Sequence, residues 1–272
     1  MSKTMSNHGV LCDRQIEQEL NEGNIVIEPF HPEQVSNCSY DVRLGEFYYA
    51  NDKPPACYNP WSLEHTHRYW GKAKQAQVAG TEDAAALGLR AGDRYIRLKP
   101  GQSILAHTQE FIGGKGFITT MMKARSSAGR SNVTVCKCAG WGDIGYCNRW
   151  TMEVTNGCTC DVILPVGARI AQIVFFYSST PNKPYVGKYQ GHYQGLDELI
   201  RAWTPESMLP KLNLETIQAE PATAASKLNL ETIQAEPTPQ RDSLETIQAP
   251  RGDVLETERR LNGHWPVNAP VN

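Results

Sequence analysis
The sequence predicts an all-β barrel or jelly roll with a few short helices, followed by an unstructured tail. Three observations carry this. Many short apolar runs are punctuated by Gly, Pro and Asn between residues 25 and 177. Helical spacing is confined to brief stretches. Beyond Leu209-Pro210 the composition changes and the chain begins to repeat itself.

The elements follow in order. Residues 11–23 read as a helix, with Asp13 as N-cap, Ile16 and Leu20 at helical spacing and Gly23 as the stop. Ile25-Val26-Ile27 reads as a strand that Pro29 ends. Residues 39–45 form a strand of alternating character running into a turn. From 51 to about 92 the pattern weakens: Pro54-Pro55, Asn59-Pro60 and Trp61 indicate loops, and residues 82–89 a short helix. Residues 95–98 and 103–107, joined at Pro100-Gly101, read as a hairpin. Further strands are expected at 117–121, 133–138, 150–155, 161–164 and 168–177.

Length allows one large domain or two small ones, and a boundary is expected near residue 210, giving a domain over 1–210 and a tail over 211–272. In the tail, residues 211–221 recur word for word at 227–237, with a shorter third copy at 244–250 and no aromatic residue until Trp265. Such a segment lacks the apolar surface to offset its ordering entropy, so disorder is expected. The sharper alternative is a repeated docking peptide for a protein partner, with Leu212, Leu214 and Ile217 as anchors.

Hydrophobic content of 40% and charged content of 21% are ordinary for a water-soluble protein. A formal charge of −2 supplies no basic field, so duplex nucleic acid is not implied as a partner. No apolar run is long enough to span a bilayer and the polar start is not a signal peptide, so no membrane partner and a cytoplasmic location are expected. Among the eight cysteines, Cys136/Cys138 and Cys158/Cys160 form C-x-C pairs that would point one way on a strand and could grip a metal. Disulfides and free thiols are the other readings. Zinc-dependent nucleotide deaminases use H-x-E followed by P-C-x-x-C, a combination this chain lacks. Free thiols are expected and no metal site is assigned.

Residues 123–156 hold the chemistry. Arg125, Ser126, Ser127 and Arg130 fall in one short turn, where hydroxyls, free backbone N–H groups and two guanidinium groups suit a polyphosphate. Glu153 alternates with Trp150, Met152 and Val154, so it leaves the apolar face of its strand for solvent or for a site. The Gly-rich turn around Asp143 lets backbone approach a ligand, with Asp143 and Tyr146 lining a pocket, or is a plain hairpin, with Asp143 and Glu153 on neighbouring strands. Gln172 shares a face with Ile170 and Val174 and needs a partner if buried, whether protein or ligand.

Across most of residues 10–195 these motifs resemble, in order, those of the dCTP deaminase and trimeric dUTPase superfamily. The resemblance rests on residues 11–17, 39–45, 98–101 with 105–110, Arg125-Ser126-Ser127 with Arg130, Ala139-Gly140-Trp141 with Asp143 and Gly145-Tyr146, Glu153 with Asn156, residues 169–172, and Tyr185 with Lys188-Tyr189-Gln190-Gly191. It implies a distorted dUTPase-like jelly roll, a homotrimer with sites between subunits, and hydrolysis of dCTP to dUTP and ammonia without zinc, feeding thymidylate synthesis. Glu153 would be the general base and proton shuttle. Ser126 and the Ala139 carbonyl would position the water, and Arg130 would hold that network in its working charge state. Arg125, Ser127, Gln172, Tyr185 and Lys188 would hold the triphosphate and sugar, with Gln190 in the closing segment and Mg²⁺ carried on the phosphates; dTTP is a possible inhibitor.

Some positions depart from the family pattern: Ala128-Gly129 replace the usual Leu-Ala or Leu-Gly, and Gly142, Asn148 and His192 replace commoner residues. Trp141 stands where strict deaminases often carry a basic residue, which leaves open a bifunctional enzyme that also hydrolyses dUTP, or a dUTPase alone. In those readings Asp143 activates the water that attacks the α-phosphate and Tyr146 lies against the deoxyribose. A reading of another class is a nucleotide-binding trimeric scaffold that displays the repeats.

Overall fold
The computed structural model describes residues 9–183, 185, 187 and 195–212. Lys188, Gln190 and the repeats beyond Leu212 lie outside the described residues, as do the readings that depend on them.

The described elements run β1 (Gly9–Val10), α1 (Asp13–Asn21), β2 (Ile25–Glu28), β3 (Val35–Ser36), β4 (Ser39–Ala50), α2 (Leu63–Trp70), β5 (Lys74–Gln75), β6 (Gln77–Val78), α3 (Thr81–Leu87) and β7 (Arg94–Leu98). They continue with β8 (Ser103–Gly114), β9 (Ile118–Ala124), α4 (Ser126–Arg130), β10 (Val133–Thr134), β11 (Trp141–Gly142), β12 (Cys147–Asn156), β13 (Val162–Pro165), β14 (Arg169–Tyr177) and α5 (Leu196–Ala202), with a 3-10 turn at Pro205–Met208. The large sheet follows the order β10-β12-β8-β4-β14-β9-β11 and curls into a distorted half-barrel, while β13-β7-β6 form a small sheet. The all-β expectation with short helices holds.

The core fills the curl. Tyr40, Val42 and Leu44 of β4, Ile104 and Ala106 of β8, Met152 and Val154 of β12, and Ile173 and Phe175 of β14 are all fully buried. The Val, Leu, Ile, Met and Phe side chains among them each contribute roughly 1.5–3 kcal/mol by leaving water. Trp150 is buried among them, its indole N–H donating to the Ile112 carbonyl at 2.9 Å. Asn156 ties the sheets together: its amide donates to the Leu98 and Cys160 carbonyls at 3.0 and 2.9 Å.

Several local expectations are corrected. The N-cap of α1 is Cys12, not Asp13: the Cys12 N–H donates to Gln15 Oε1 at 3.0 Å, and Asp13 is the first helical residue. β4 does not turn at Gly45 but continues to Ala50, because Gly45 leaves room for the His107 ring packed against it. The Pro100-Gly101 turn closes no hairpin. β7 pairs with β6 and β13, whereas β8 pairs with β2, β4 and β12, so this turn carries the chain between the two sheets. The weak region contains α2 with a Ser62 cap, which the Pro-rich flanks had hidden. Neither C-x-C pair lies on a strand, since Cys136 and Lys137 take positive φ and residues 158–160 form a bend. All eight cysteines are free, and burial pushes the Cys136 thiol up to about 12.

Candidate active site
β12 carries Glu153 in register with Leu105 of β8. Trp150, Met152 and Val154 are buried on one side, and Thr151, Glu153 and Thr155 are half-buried on the other, as the alternation predicts. A register irregularity between Arg149 and Thr151 precedes this stretch and is bridged by Thr108 Oγ1, which accepts from the Trp150 N–H at 2.9 Å. Glu153 faces a cavity of about 390 Å³, a size typical of small-molecule sites. Its Oε2 is buried and has no hydrogen-bond partner among the described residues. Burial raises the carboxyl pKa above its ordinary value, against smaller opposing contributions from a backbone hydrogen bond and Lys137.

The opposite wall comes from β11 and the loop behind it. β11 pairs with β9, not β12, so Asp143 and Glu153 do not sit on neighbouring strands; they meet across the cavity. Gly140 and Gly142 permit close approach to protein rather than to a ligand. A Cβ at Gly140 would strike the Met122 carbonyl, and one at Gly142 the Trp150 ring. This packing leaves Trp141 57% exposed, stacked on Phe176 at 6.2 Å. Tyr146 meets Trp150 and Tyr185 edge-on at 5.4 and 5.6 Å. A second cavity of about 450 Å³ shares Trp141, Asp143 and Tyr185 with the first, so the two form one cleft.

Of the residues chosen from sequence, Glu153, Ala139, Asp143, Tyr146 and Tyr185 line this cleft. Ser126, Ser127 and Arg130 sit on α4, exposed and outside its lining within one chain. Arg125 is the N-cap of α4 and is paired with the buried Asp41 at 3.2 Å. Gln172 also stands apart. An irregularity at Arg169/Ala171 breaks the alternation, so Ile170 and Ala171 are both buried while Gln172 and Val174 share the half-buried face. The expectation that Gln172 shares a face with Ile170 is thereby corrected.

The dCTP deaminase-like family model matches residues 10–178. The chain belongs to the dCTP deaminase-like family. A relative from Methanobrevibacter smithii named "dCTP deaminase, dUMP-forming" is 31% identical, over 76% of this chain and 97% of its own. A protein of the same name from Clavibacter michiganensis is 30% identical, over 68% of this chain and 86% of its own. The crystal structure of a 2'-deoxycytidine 5'-triphosphate deaminase from Agrobacterium tumefaciens superposes with a TM-score of 0.46 at 16% identity, over 64% of this chain and 49% of that one.

This dCTP deaminase-like domain has wall residues that the sequence did not reveal. Met208, Pro210 and Leu212 line the Glu153 cavity, although they lie beyond the matched region. Met208 and Leu209 anchor them by packing with Tyr49 and Leu105. No local pattern announces a contact between segments so far apart in the chain. Trp150 also lines the cavity, although alternation puts it on the face opposite Glu153; the register irregularity between Arg149 and Thr151 falls at this residue and has no signature in the sequence.

Proposed function
We propose that this chain hydrolyses the exocyclic amine of dCTP, giving dUTP and ammonia, with Glu153 as general base and proton shuttle. The observation that carries the reading is the buried, unbonded Glu153 oxygen facing a cavity walled by aromatic rings. A buried carboxylate oxygen left without a partner is costly unless a bound group completes it, and membership of the dCTP deaminase-like family names a suitable group. Water is deprotonated by Glu153 as its oxygen attacks C4 of the cytosine ring. The proton passes to N3, a second transfer through Glu153 reaches the amine, and the C4–N bond breaks as ammonia leaves and the C4 carbonyl forms. Desolvation of Glu153 raises its basicity toward the working pH, which suits both halves of that cycle.

In this reading the Ala139 carbonyl and Ser126 hold the water, Arg130 keeps the network in its charge state, and Arg125, Ser127 and Gln172 hold phosphate. Tyr185, Lys188 and Gln190 complete the nucleotide site and its closing segment. Because α4 is exposed and apart from the Glu153 cavity of its own chain, the proposal includes a homotrimer in which a neighbour supplies it. The magnesium ion implied by the resemblance fits as a passenger on the triphosphate, where it would offset phosphate charge. Among the described residues no group of three or more His, Cys, Asp or Glu is arranged to hold one independently.

A second reading extends the first: the dUTP is hydrolysed in the same cleft to dUMP and diphosphate, with Asp143 activating the water. It is favoured by Asp143, Tyr146 and Trp141 lying in the cavity that contains Glu153, and by the dUMP-forming names of the relatives. Incubation with dCTP and Mg²⁺, followed by chromatography and an ammonia assay, tests both. Ammonia with dUTP supports deamination alone, and ammonia with dUMP and diphosphate supports the extension, which Asp143→Asn should then stop at dUTP. Absence of ammonia sinks the reading.

A further inference from the structure
The motif around Asp41 has a place in the fold that the deamination steps do not use. Asp41 lies on β4 directly across from Gln172 of β14, and Gln172 lies across from Lys123 of β9. Residues directly opposite one another project from the same face, so Asp41, Gln172 and Lys123 form a row across three strands. Tyr40 and Val42 point the other way into the core. The Asp41 carboxylate is 4% exposed, and its Oδ2 lies 3.2 Å from Arg125 Nε and 3.4 Å from Arg169 Nη1. The Arg125 Nη1 also donates to the Arg169 carbonyl at 3.5 Å.

The charges decide what this cluster is for. Two guanidinium groups and one carboxylate leave one net positive charge, and Lys123 in the same row adds a second. The anion is buried, while the cations keep 32% and 44% of their side chains exposed. Both arginines share a single carboxylate oxygen, which leaves each with further N–H donors. Without the intervening anion, the two guanidinium groups would repel each other.

We propose that Asp41 is a positioning residue for the triphosphate, holding Arg125 and Arg169 side by side as a two-armed clamp for phosphate oxygens. The identity of the ligand rests on the function proposed above; the clamp itself rests on the geometry. Arg125 reaches the pair from the N-cap of α4 and Arg169 from the start of β14; backbone pairing already joins these segments, with Ala124 opposite Ala171 and the Arg125 N–H donating to the Ile170 carbonyl at 3.1 Å, so the buried carboxylate fixes the two side chains. Planar guanidinium groups held in register suit bidentate capture of phosphate. Gln172, half-buried in the same row, supplies a neutral donor beside them.

The competing role is a plain ion-pair staple between β4, α4 and β14, and a third possibility is a simple field effect. Calorimetric titration of the full-length protein with magnesium tripolyphosphate separates them without depending on turnover. For Asp41→Asn the clamp predicts about ten-fold weaker tripolyphosphate binding. It also predicts a matching rise in KM for dCTP, with kcat within about three-fold of the parent. Asp41→Glu should fall between the two, because it restores the anion at a slightly different reach.

Unchanged tripolyphosphate affinity with only a lower melting temperature would reduce Asp41 to a staple. Tighter binding would mean that removing a negative charge matters more than orienting the arginines, and would also overturn the clamp. If Asp41→Asn does not fold, Asp41→Glu decides: wild-type affinity contradicts the proposal and weakened affinity supports it. A parent protein that binds tripolyphosphate and loses affinity on substitution, yet never turns over dCTP, would keep the clamp and remove the deaminase reading.

Discussion
Three carboxylates are withdrawn from water on the large sheet, and the protein treats them in two ways. Glu110 is fully buried and satisfied: it accepts from the Arg43 backbone N–H at 3.0 Å, from Arg43 Nε at 2.6 Å and from Gln34 at 3.2 Å. Asp41 has two arginines. Glu153, facing the cleft, leaves one buried oxygen without a partner. Glu110 is paired within the scaffold, and Asp41 holds two arginines, although burial still raises the Asp41 carboxyl above its ordinary value against both of them. In the function proposed above, the molecule that fills the cleft would supply the partner of that Glu153 oxygen.

That contrast can be broken by substitution. Glu153→Gln is expected to lower ammonia release by about 10²–10⁴-fold while leaving the fold intact. The raised pKa means that its charged form costs stability above the folded-state pKa. The variant should therefore melt at or above the parent temperature near pH 8, with the difference vanishing in acid. Glu110→Gln should do the reverse, costing about 3–5 kcal/mol in denaturant unfolding because Arg43 is left half-paired. If Glu153→Gln is as destabilising as Glu110→Gln, the distinction drawn between them is wrong.

Smaller effects sharpen the comparison. His107 is buried neutral, its Nε2 accepting from the Phe47 N–H at 3.2 Å, and burial lowers its pKa to about 4 from 6.5. Between those values the unfolded chain binds the extra proton, so stability should fall by about 3 kcal/mol as pH drops from 6.5 toward 4. Urea unfolding across that range, compared with His107→Gln, isolates the contribution. Last, Arg149 lies over the Phe111 and Trp203 rings at 5.0 and 4.6 Å. Trp203→Ala should cost about 1 kcal/mol from that contact, with little change in turnover, as measured by melting and by ammonia assay.

Much of this was legible in the residues because local rules governed it. The alternation of Trp150, Met152 and Val154 placed Glu153 on the opposite face, and the serine pair marked the start of α4. What failed was non-local. The partner of β8 could not be read from the Pro100-Gly101 turn, since strand pairing is decided across the sheet rather than along the chain. The bulge beside Gln172 and the packing of Met208 against Leu105 have no signature of their own in the sequence. Asp41 read as part of an alternating strand; only the fold brings Arg125 and Arg169 to it.

The central claim is that the Glu153 cleft hydrolyses a cytosine amine, and the most direct measurement is turnover of dCTP in oxygen-18 water with mass analysis of the products. The account predicts one heavy oxygen in the uracil base for each ammonia released, with any label on the phosphate of dUMP or on diphosphate arising only in a later step. Label confined to phosphate, with the cytosine amine intact, would contradict it: the reaction would then lie at the phosphates, and the buried Glu153 would have no part in it.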